Sequence, residues 1–130
     1  MGEFIWPVRV YYEDVDIGGI VYHANYLKFI ERTRTEWSRN IGLEQIQQQS
    51  ILVIRQINID FLKPAVLHDE LQIAVRLMSL GRTSITLQQD VCRGGEILCT
   101  AAVKMVCVDR ISLRPQVLCE EQIEILSHCK

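Results

Sequence analysis

One segment near the N-terminus contains most of the side chains in this chain that could do chemistry. Asp14 and Asp16 are followed closely by the glycine pair Gly18-Gly19. His23 comes next, directly before a segment with the periodicity of an amphipathic helix. A carboxylate, a flexible turn and a helix N-terminus can together hold a negative oxygen against a polarised carbonyl, because the helix end carries partial positive charge. The segment is therefore predicted to be an active site.

The helix that must position these groups is visible in the spacing of its apolar residues. Charged residues occupy the other sides of the helix. The residues that recur at helical intervals over three turns are Tyr26, Phe29, Ile30, Thr33 and Trp37. Asn25 is a plausible N-cap, and Gly42 is plausible as the residue just beyond the C-terminus. The helix should then have about 15 residues and a length of roughly 23 Å.

The rest of the chain has the period of two that is typical of strands. A first strand is predicted at Val8–Tyr12, leading into the aspartates, and a polar, Gln-rich turn at 44–50 follows the helix. Alternation then predicts strands at 56–61, 71–78 and 84–91. Apart from Thr100 and Lys104, residues 97–108 are apolar on both parities, which favours a strand buried on both faces near the sheet centre. Residues 119–127 are predicted as a short terminal helix.

These elements predict an α+β protein with an antiparallel sheet, in a single domain over residues 1–130. The last three strands should form a meander, with turns at Gly81-Arg82 and Gly94-Gly95. One helix about 10 Å wide covers only part of a five-stranded sheet, so apolar surface would stay exposed in a monomer. A homo-oligomer, joined edge to edge or face to face, is therefore expected.

Composition excludes several classes of function. The formal net charge is −2 with no basic block, which argues against nucleic acid as a partner. The five cysteines include no C-x-x-C pair, so the sequence favours reduced thiols over disulfides and gives no support for a metal site. No secretory signal and no membrane-spanning stretch is recognisable. A cytoplasmic protein is expected.

The chemical segment resembles that of a known family. A D-x-D-x-G-G turn after a strand, then Tyr22-His23-x-Asn25-Tyr26 opening a helix with Glu31-Arg32-x-Arg34, is similar to the hotdog-fold acyl-CoA thioesterases of the 4-hydroxybenzoyl-CoA thioesterase type. The tol-pal-associated branch of bacterial acyl-CoA thioesterases is the most similar. The resemblance implies a central helix wrapped by a curved antiparallel sheet. It also implies dimers whose sheets join, and often tetramers.

The resemblance also implies which residues act. Catalysis falls on Asp16 and His23, and substrate binding on Gly19, Tyr22 and the tripeptide Arg82-Thr83-Ser84, where arginine and hydroxyl groups approach the nucleotide phosphates. Acyl-CoA is the implied substrate, with acyl carrier protein thioesters as a second source. No cofactor is implied, because coenzyme A is part of the substrate. Val15 stands where the similar proteins usually carry threonine, so a hydroxyl that could orient Asp16 is missing.

Several alternatives stay open from the sequence. Asp16 could attack the thioester directly or act as a general base on water. Asp14 is expected to be structural, and His23 could be a simple capping or surface group. A dehydratase of the same fold would need a histidine followed by Pro-Gly, which this chain lacks. A different class of function is an interaction module that recruits lipid-synthesis enzymes or acyl carrier protein at the inner membrane face.

Overall fold

The computed structural model describes residues 2–46 and 49–129. In chain order its elements are β1 (Phe4–Arg9), α1 (Asn25–Ile41), β2 (Ser50–Phe61), β3 (Glu70–Leu80), β4 (Ser84–Arg93), β5 (Glu96–Asp109) and α2 (Glu120–Ser127). Short 3-10 turns cover Tyr12–Asp14 and Leu43–Gln45. The predicted α+β class is confirmed, and α2 is the terminal helix expected at 119–127.

The five strands form one sheet in the order β1-β3-β4-β5-β2, and every neighbouring pair is antiparallel. The predicted meander of β3, β4 and β5 is confirmed. We call the end of the sheet that carries Arg9, Phe61, Arg93 and Glu96 the proximal end. The end that carries Ser84 is the distal end. β1 and β2 are the edge strands.

Helix α1 covers the inner face of the sheet with the residues that its periodicity predicts. Tyr26, Phe29, Ile30, Thr33 and Trp37 are all buried. They pack with inward-facing strand residues into one hydrophobic core. The helix ends as predicted at Gly42, whose φ of 82° is the left-handed conformation that glycine adopts readily.

Two predicted boundaries are wrong for local reasons. The N-cap of α1 is Ala24, and Asn25 is the first helical residue, because the Asn25 side chain bonds to a loop carbonyl instead of its own helix. The first strand covers Phe4–Arg9 and not Val8–Tyr12. The chain leaves it for a 3-10 turn, in which the Asp14 carboxylate accepts the Tyr11 N–H at 2.9 Å.

Strands β2 and β5 also differ from expectation. β2 begins at Ser50, before the predicted 56–61, and contains a register shift between Ile54 and Gln56 that hides its alternation. β5 lies beside the central strand β4, but only parts of it are buried on both faces. Thr100 and Lys104 are partly exposed on the outer face of the sheet, between the segments of β5 that are buried on both faces. In the predicted turn at 44–50, Gln47 and Gln48 lie outside the described residues.

Apolar side chains remain exposed beside the helix, as the predicted mismatch between one helix and five strands requires. Phe61 is 48% exposed and Ile54 is 40% exposed. Phe61 and Ile54 belong to edge strand β2. Among the described residues, none of the helices combines the length and hydropathy that crossing a bilayer requires.

Candidate active site

Residues 14–22 fold into a small hairpin directly before α1. Tyr22 N–H donates to Asp14 O (3.1 Å), and Asp16 N–H donates to Ile20 O (3.1 Å). Gly19 N–H closes the turn by donating to Asp16 O (3.1 Å). The turn needs glycine, since Gly19 has a φ of 76°. The glycine pair thus folds the chain back so that the aspartates lie beside the helix start.

The pairing decides which way the side chains point. Val15 lies opposite Val21, and Val21 is only 5% exposed, so this pair faces the core. Because side chains alternate along a strand, Asp16 and Tyr22 project from the other face of the hairpin, and both are exposed. The Asp16 carboxylate makes no hydrogen bond or ion pair to any residue in the described part of the chain. It is therefore free to meet a ligand.

Asp14 has a structural role, as the sequence predicts. Its carboxylate accepts the Tyr11 N–H, and its backbone oxygen accepts the Asn25 side-chain amide at 2.8 Å. The second bond joins the aspartate loop to the first residue of α1. Asp14 and Asn25 therefore fix the position of the helix start relative to Asp16.

Two backbone amides are unused at the start of the helix. Asn25 N–H donates to Tyr22 O (2.8 Å), and Tyr26 N–H donates to His23 O (3.3 Å). The N–H groups of His23 and Ala24 have no acceptor within residues 2–46 and 49–129. Free amides at a helix N-terminus, where the dipole adds positive charge, are suited to hold a negative oxygen.

The His23 ring lies at the surface between two aromatic rings. Its centroid is 4.6 Å from that of Tyr22 and 6.1 Å from that of Phe61, which it meets edge-on. A cavity of about 230 Å³ opens between His23, Tyr26 and Phe61. The histidine thus has an apolar recess on one side and the hairpin on the other.

The loop between β2 and β3, residues 62–69, is part of this site, although nothing in its residue pattern indicates a role there. Val21 N–H donates to Ala65 O (2.9 Å). Ala65 N–H donates to the Tyr26 hydroxyl oxygen (2.9 Å). Burial is the main cause that raises the pKa of Tyr26 above its ordinary value. Hydrogen bonds between positions this far apart in the sequence cannot be predicted from the spacing of residue types.

The predicted phosphate-binding tripeptide lies elsewhere. Thr83 O accepts the Cys107 N–H (2.7 Å), Arg82 O accepts the Leu118 N–H (2.9 Å), and Ser84 begins β4 at the distal end. Strand β4 has 10 residues. It therefore separates the two ends by about 30 Å. One chain alone brings together Asp16, Gly19, Tyr22 and His23, but not Arg82, Thr83 and Ser84.

A second buried polar feature joins α1 to the central strand. Gln89 is fully buried; it accepts from Arg34 Nη1 (3.2 Å) and donates to Ile30 O (3.0 Å). Burial lowers the pKa of Arg34, while nearby Glu31 opposes that change. Arg34 lines a groove of about 500 Å³ between α1 and β2. Glu31 is exposed and Arg34 is half-buried, and this face of α1 borders edge strand β2.

Comparison with known proteins decides the family. The model of the thioesterase superfamily matches residues 18–100, from the glycine turn into β5. This chain belongs to that family. The predicted family and the predicted class of enzyme, a thioester hydrolase, are confirmed.

Individual relatives resemble this thioesterase over most of its length. The acyl-CoA thioester hydrolase YbgC of Escherichia coli O6:H1 is 40% identical over 119 residues, which cover 88% of this chain and 89% of the relative. The acyl-CoA thioesterase YbgC of Haemophilus influenzae is 37% identical, with 98% of this chain and 96% of the relative covered. At 98% coverage, the second alignment includes the hairpin and α1.

A solved structure gives the same result for the fold. The "Probable Thioesterase" from Bartonella henselae superposes with a TM-score of 0.81 at 31% sequence identity. The superposition covers 92% of this chain and 100% of that chain. The hotdog fold predicted for this thioesterase is confirmed.

Proposed function

We propose that this thioesterase hydrolyses acyl-CoA, with Asp16 supplying or activating the attacking oxygen at the start of α1. The observation that carries the proposal is the pair of unused amides at His23 and Ala24 beside a hairpin that presents a free carboxylate. An acyl carbonyl whose oxygen accepts from those amides would have its carbon exposed to Asp16. The named activity of the two YbgC relatives supports acyl-CoA as the substrate.

The chemistry needs little beyond these groups. The amides would stabilise the oxyanion of the tetrahedral intermediate, and one such donor is typically worth about 3 kcal/mol. Collapse of the intermediate breaks the C–S bond, and coenzyme A leaves as a thiolate without strong acid assistance. No cofactor is required, because no electron or group is transferred to a third molecule. His23 can hydrogen-bond the thioester or the catalytic water from its place beside Phe61.

Two routes start from the same arrangement. In one, an Asp16 oxygen bonds to the acyl carbon, the C–S bond breaks, and water then hydrolyses the acyl-aspartyl anhydride. In the other, Asp16 removes a proton from water, and that water attacks. A single turnover in H₂¹⁸O reveals the anhydride route when water attacks the aspartyl carbonyl, since attack at the acyl carbonyl would label the acid just as the general-base route does. If water opens the anhydride at the aspartyl carbonyl, the first acid released carries no label from solvent, whereas the general-base route labels it.

Substrate binding would involve Gly19 and Tyr22 next to the acyl group and Arg82, Thr83 and Ser84 at the nucleotide. The last three lie at the distal end, so we propose that a second copy supplies them. Antiparallel pairing between the β2 edges of two copies would place the distal end of one beside the proximal end of the other. The exposed apolar residues Ile54 and Phe61 on β2 support this homodimer. A tetramer would need a further contact between dimers.

The setting we propose is the cytoplasm. An odd number of cysteines, all of them free thiols, supports a reducing compartment. Acyl carrier protein thioesters would share the reacting group and pantetheine arm of acyl-CoA, so they are proposed as a second substrate class. Association with the tol-pal system or with lipid-synthesis enzymes rests on the family resemblance.

The deciding experiment measures thiol release from purified protein with acyl-CoA substrates from C2 to C18. Asp16→Asn should lower kcat at least about 100-fold with little change in melting temperature, because the carboxylate has no structural partner. Glu121→Gln is the control. It alters an exposed carboxylate on α2, which has no part in the proposed site, and should leave the rate unchanged. If the wild type shows only background rates, the protein is better explained as an interaction module. A normal rate for Asp16→Asn would refute the catalytic role of Asp16.

A further inference from the structure

We propose that Arg93 is a positioning residue for the catalytic hairpin, acting through the loop between β2 and β3. Arg93 lies at the proximal end of β4 and bonds to none of the reacting groups. Its guanidinium clamps the loop, and the loop in turn holds Gly19 and Val21. The inference rests on the proposed function of the hairpin and assigns the support that keeps it in place.

The clamp is a chain of charge-assisted hydrogen bonds. Arg93 Nη1 donates to Asp69 Oδ2 (2.8 Å) and to Pro64 O (3.4 Å). Arg93 Nη2 donates to Glu96 Oε1 (3.0 Å), and the other oxygen of Glu96 accepts from Lys63 Nζ at 2.7 Å. The guanidinium therefore joins both ends of the loop to the β4–β5 hairpin. The planar fork of arginine suits this geometry, and a lysine ammonium could not reproduce it.

Asp69 also fixes the shape of the loop. The oxygen that accepts from Arg93, Oδ2, accepts the Val66 N–H at 2.9 Å. Asp69 N–H in turn donates to Val66 O at 3.1 Å. The Asp69 side chain is only 16% exposed, so its bonds are shielded more than those of a surface ion pair. Loss of the arginine would leave this carboxylate without its cation.

The loop reaches the hairpin through its backbone. Leu67 N–H donates to Gly19 O (3.0 Å), and Val21 N–H donates to Ala65 O (2.9 Å). Ala65 also donates to the hydroxyl of Tyr26, on the first turn of α1. These bonds surround the glycine turn that carries Asp16. A displaced loop would therefore shift the carboxylate relative to the helix amides.

The β4–β5 hairpin does not itself need the guanidinium. Arg93 and Glu96 are already opposite each other in the backbone register, and Gly94 adopts the positive φ of 62° that the two-residue turn requires. The two bonds from Arg93 Nη1 lead away from this turn to Pro64 and Asp69 of the loop, and only the Nη2 bond to Glu96 stays within the hairpin. The hydrogen bonds that Arg93 donates to the carboxylates of Asp69 and Glu96 raise the pKa of its guanidinium, which therefore stays charged.

The test compares Arg93→Met with a matched control, Arg76→Met. Arg76 is also a strand arginine in an exposed ion pair, 3.5 Å from Glu3, but that pair is not connected to the loop. Arg93→Met should lower kcat for acyl-CoA between about 10- and 100-fold with KM nearly unchanged, because a misplaced group slows the reaction more than it weakens binding. Arg76→Met should keep both constants. Arg93→Lys should recover only part of the loss.

Amide hydrogen exchange gives a readout that does not depend on activity. In Arg93→Met, the amides of Val21 and Leu67 should exchange at least about 10-fold faster, because their acceptors lie across the loop contact. Amides of the central strand β4 should not change. Arg76→Met should show neither effect.

The outcomes separate this inference from the proposed function. An inactive wild type overturns the proposed function, whereas an active wild type with equal kcat for Arg93→Met and Arg76→Met overturns the role of Arg93. Unchanged exchange at Val21 and Leu67 overturns it as well. If Arg93→Met does not fold, Glu96→Gln replaces it, since it weakens the same clamp but keeps the arginine. Glu96→Gln must then lower kcat at least about 3-fold for the inference to stand.

Discussion

The side-chain amide of Asn25 donates a 2.8 Å hydrogen bond to the backbone oxygen of Asp14. It is the point at which the hairpin with the candidate nucleophile is joined to the helix with the candidate oxyanion donors. Both partners come from one short segment, so the bond can form as soon as the hairpin and first helical turn are present. The geometry of the site therefore depends on a residue that would not itself touch the substrate.

Replacement of Asn25 by alanine should reduce activity more than stability. The lost hydrogen bond is expected to lower the free energy of unfolding by about 1 kcal/mol. The rate should fall about 10-fold or more, because Asp16 loses its fixed position relative to the helix amides. Steady-state kinetics and urea unfolding measure the two effects. Asn40→Ala, an exposed change in the same helix, is the control and should alter neither by much.

Gly19→Ala tests the backbone conformation of the turn. A Cβ at Gly19 would have no atom within 4 Å, but the φ of 76° strains any residue with a side chain. The free energy of unfolding should fall by about 1 kcal/mol, and kcat should fall with it because Asp16 precedes this turn. Gly95→Ala is the control, since it also has open space but no positive φ in the left-handed region. Equal losses in both variants would contradict the role of the turn.

The parts of the fold that the sequence predicted are those set by local periodicity. Tyr26, Phe29 and Trp37 recur at helical spacing, so their burial follows from the pattern alone. The start of β2 was missed because residues 51–54 are apolar on both parities and the bulge at 54–56 breaks the alternation. The prediction of Asn25 as a cap is wrong because its side chain bonds to Asp14 O. Asp14 lies in a turn, and the spacing of residues does not reveal such a turn.

The candidate site was predictable where it is contiguous in sequence. Asp16 and His23 belong to one motif, and the structure places them on one hairpin and helix start. The support from Ala65 and Arg93 was not predictable, because hydrogen bonds between distant segments depend on the register of strands. For the same reason, the sequence could not tell that Arg82 lies at the opposite end of the sheet.

Cys99 should make the protein sensitive to alkali. Burial, the main cause, together with the negative charges of Asp90 and Asp60, raises the pKa of Cys99 to about 12. In the unfolded protein the Cys99 thiol releases its proton near pH 9. Its contribution to the free energy of unfolding is therefore complete below that pH and is lost as pH rises toward 12. The free energy of unfolding should fall by up to about 4 kcal/mol across this range from this group.

Urea unfolding at pH 8 and pH 11 checks this expectation. Cys99→Ala removes the titrating thiol, so its stability should decline less over the same interval, even if it begins lower because a small cavity is left. Tyr26, whose pKa is also raised, adds to the decline in both proteins. Identical declines in wild type and variant would show that the Cys99 thiol is not the group responsible.

Arg82→Met tests whether the distal end of a second copy completes the substrate site. If the Arg82 guanidinium binds a nucleotide phosphate, its loss should raise KM for acyl-CoA about 10-fold with kcat nearly unchanged, because the phosphate contact is the same in the ground and transition states. The same acyl group on N-acetylcysteamine has no phosphates. Its KM should therefore not respond to the change.

The matched control is Arg76→Met, which removes one exposed positive charge from β3 and should leave KM for both substrates unchanged. A mixed-dimer experiment then distinguishes contributions from the two copies. Arg82→Met and Asp16→Asn chains, each impaired alone, should form heterodimers with one intact site, because an unaltered Asp16 meets an unaltered Arg82 across the interface. At acyl-CoA concentrations well below KM, where the rate reports kcat/KM, activity no higher than that of the separate variants would mean that Arg82 does not serve the partner's site.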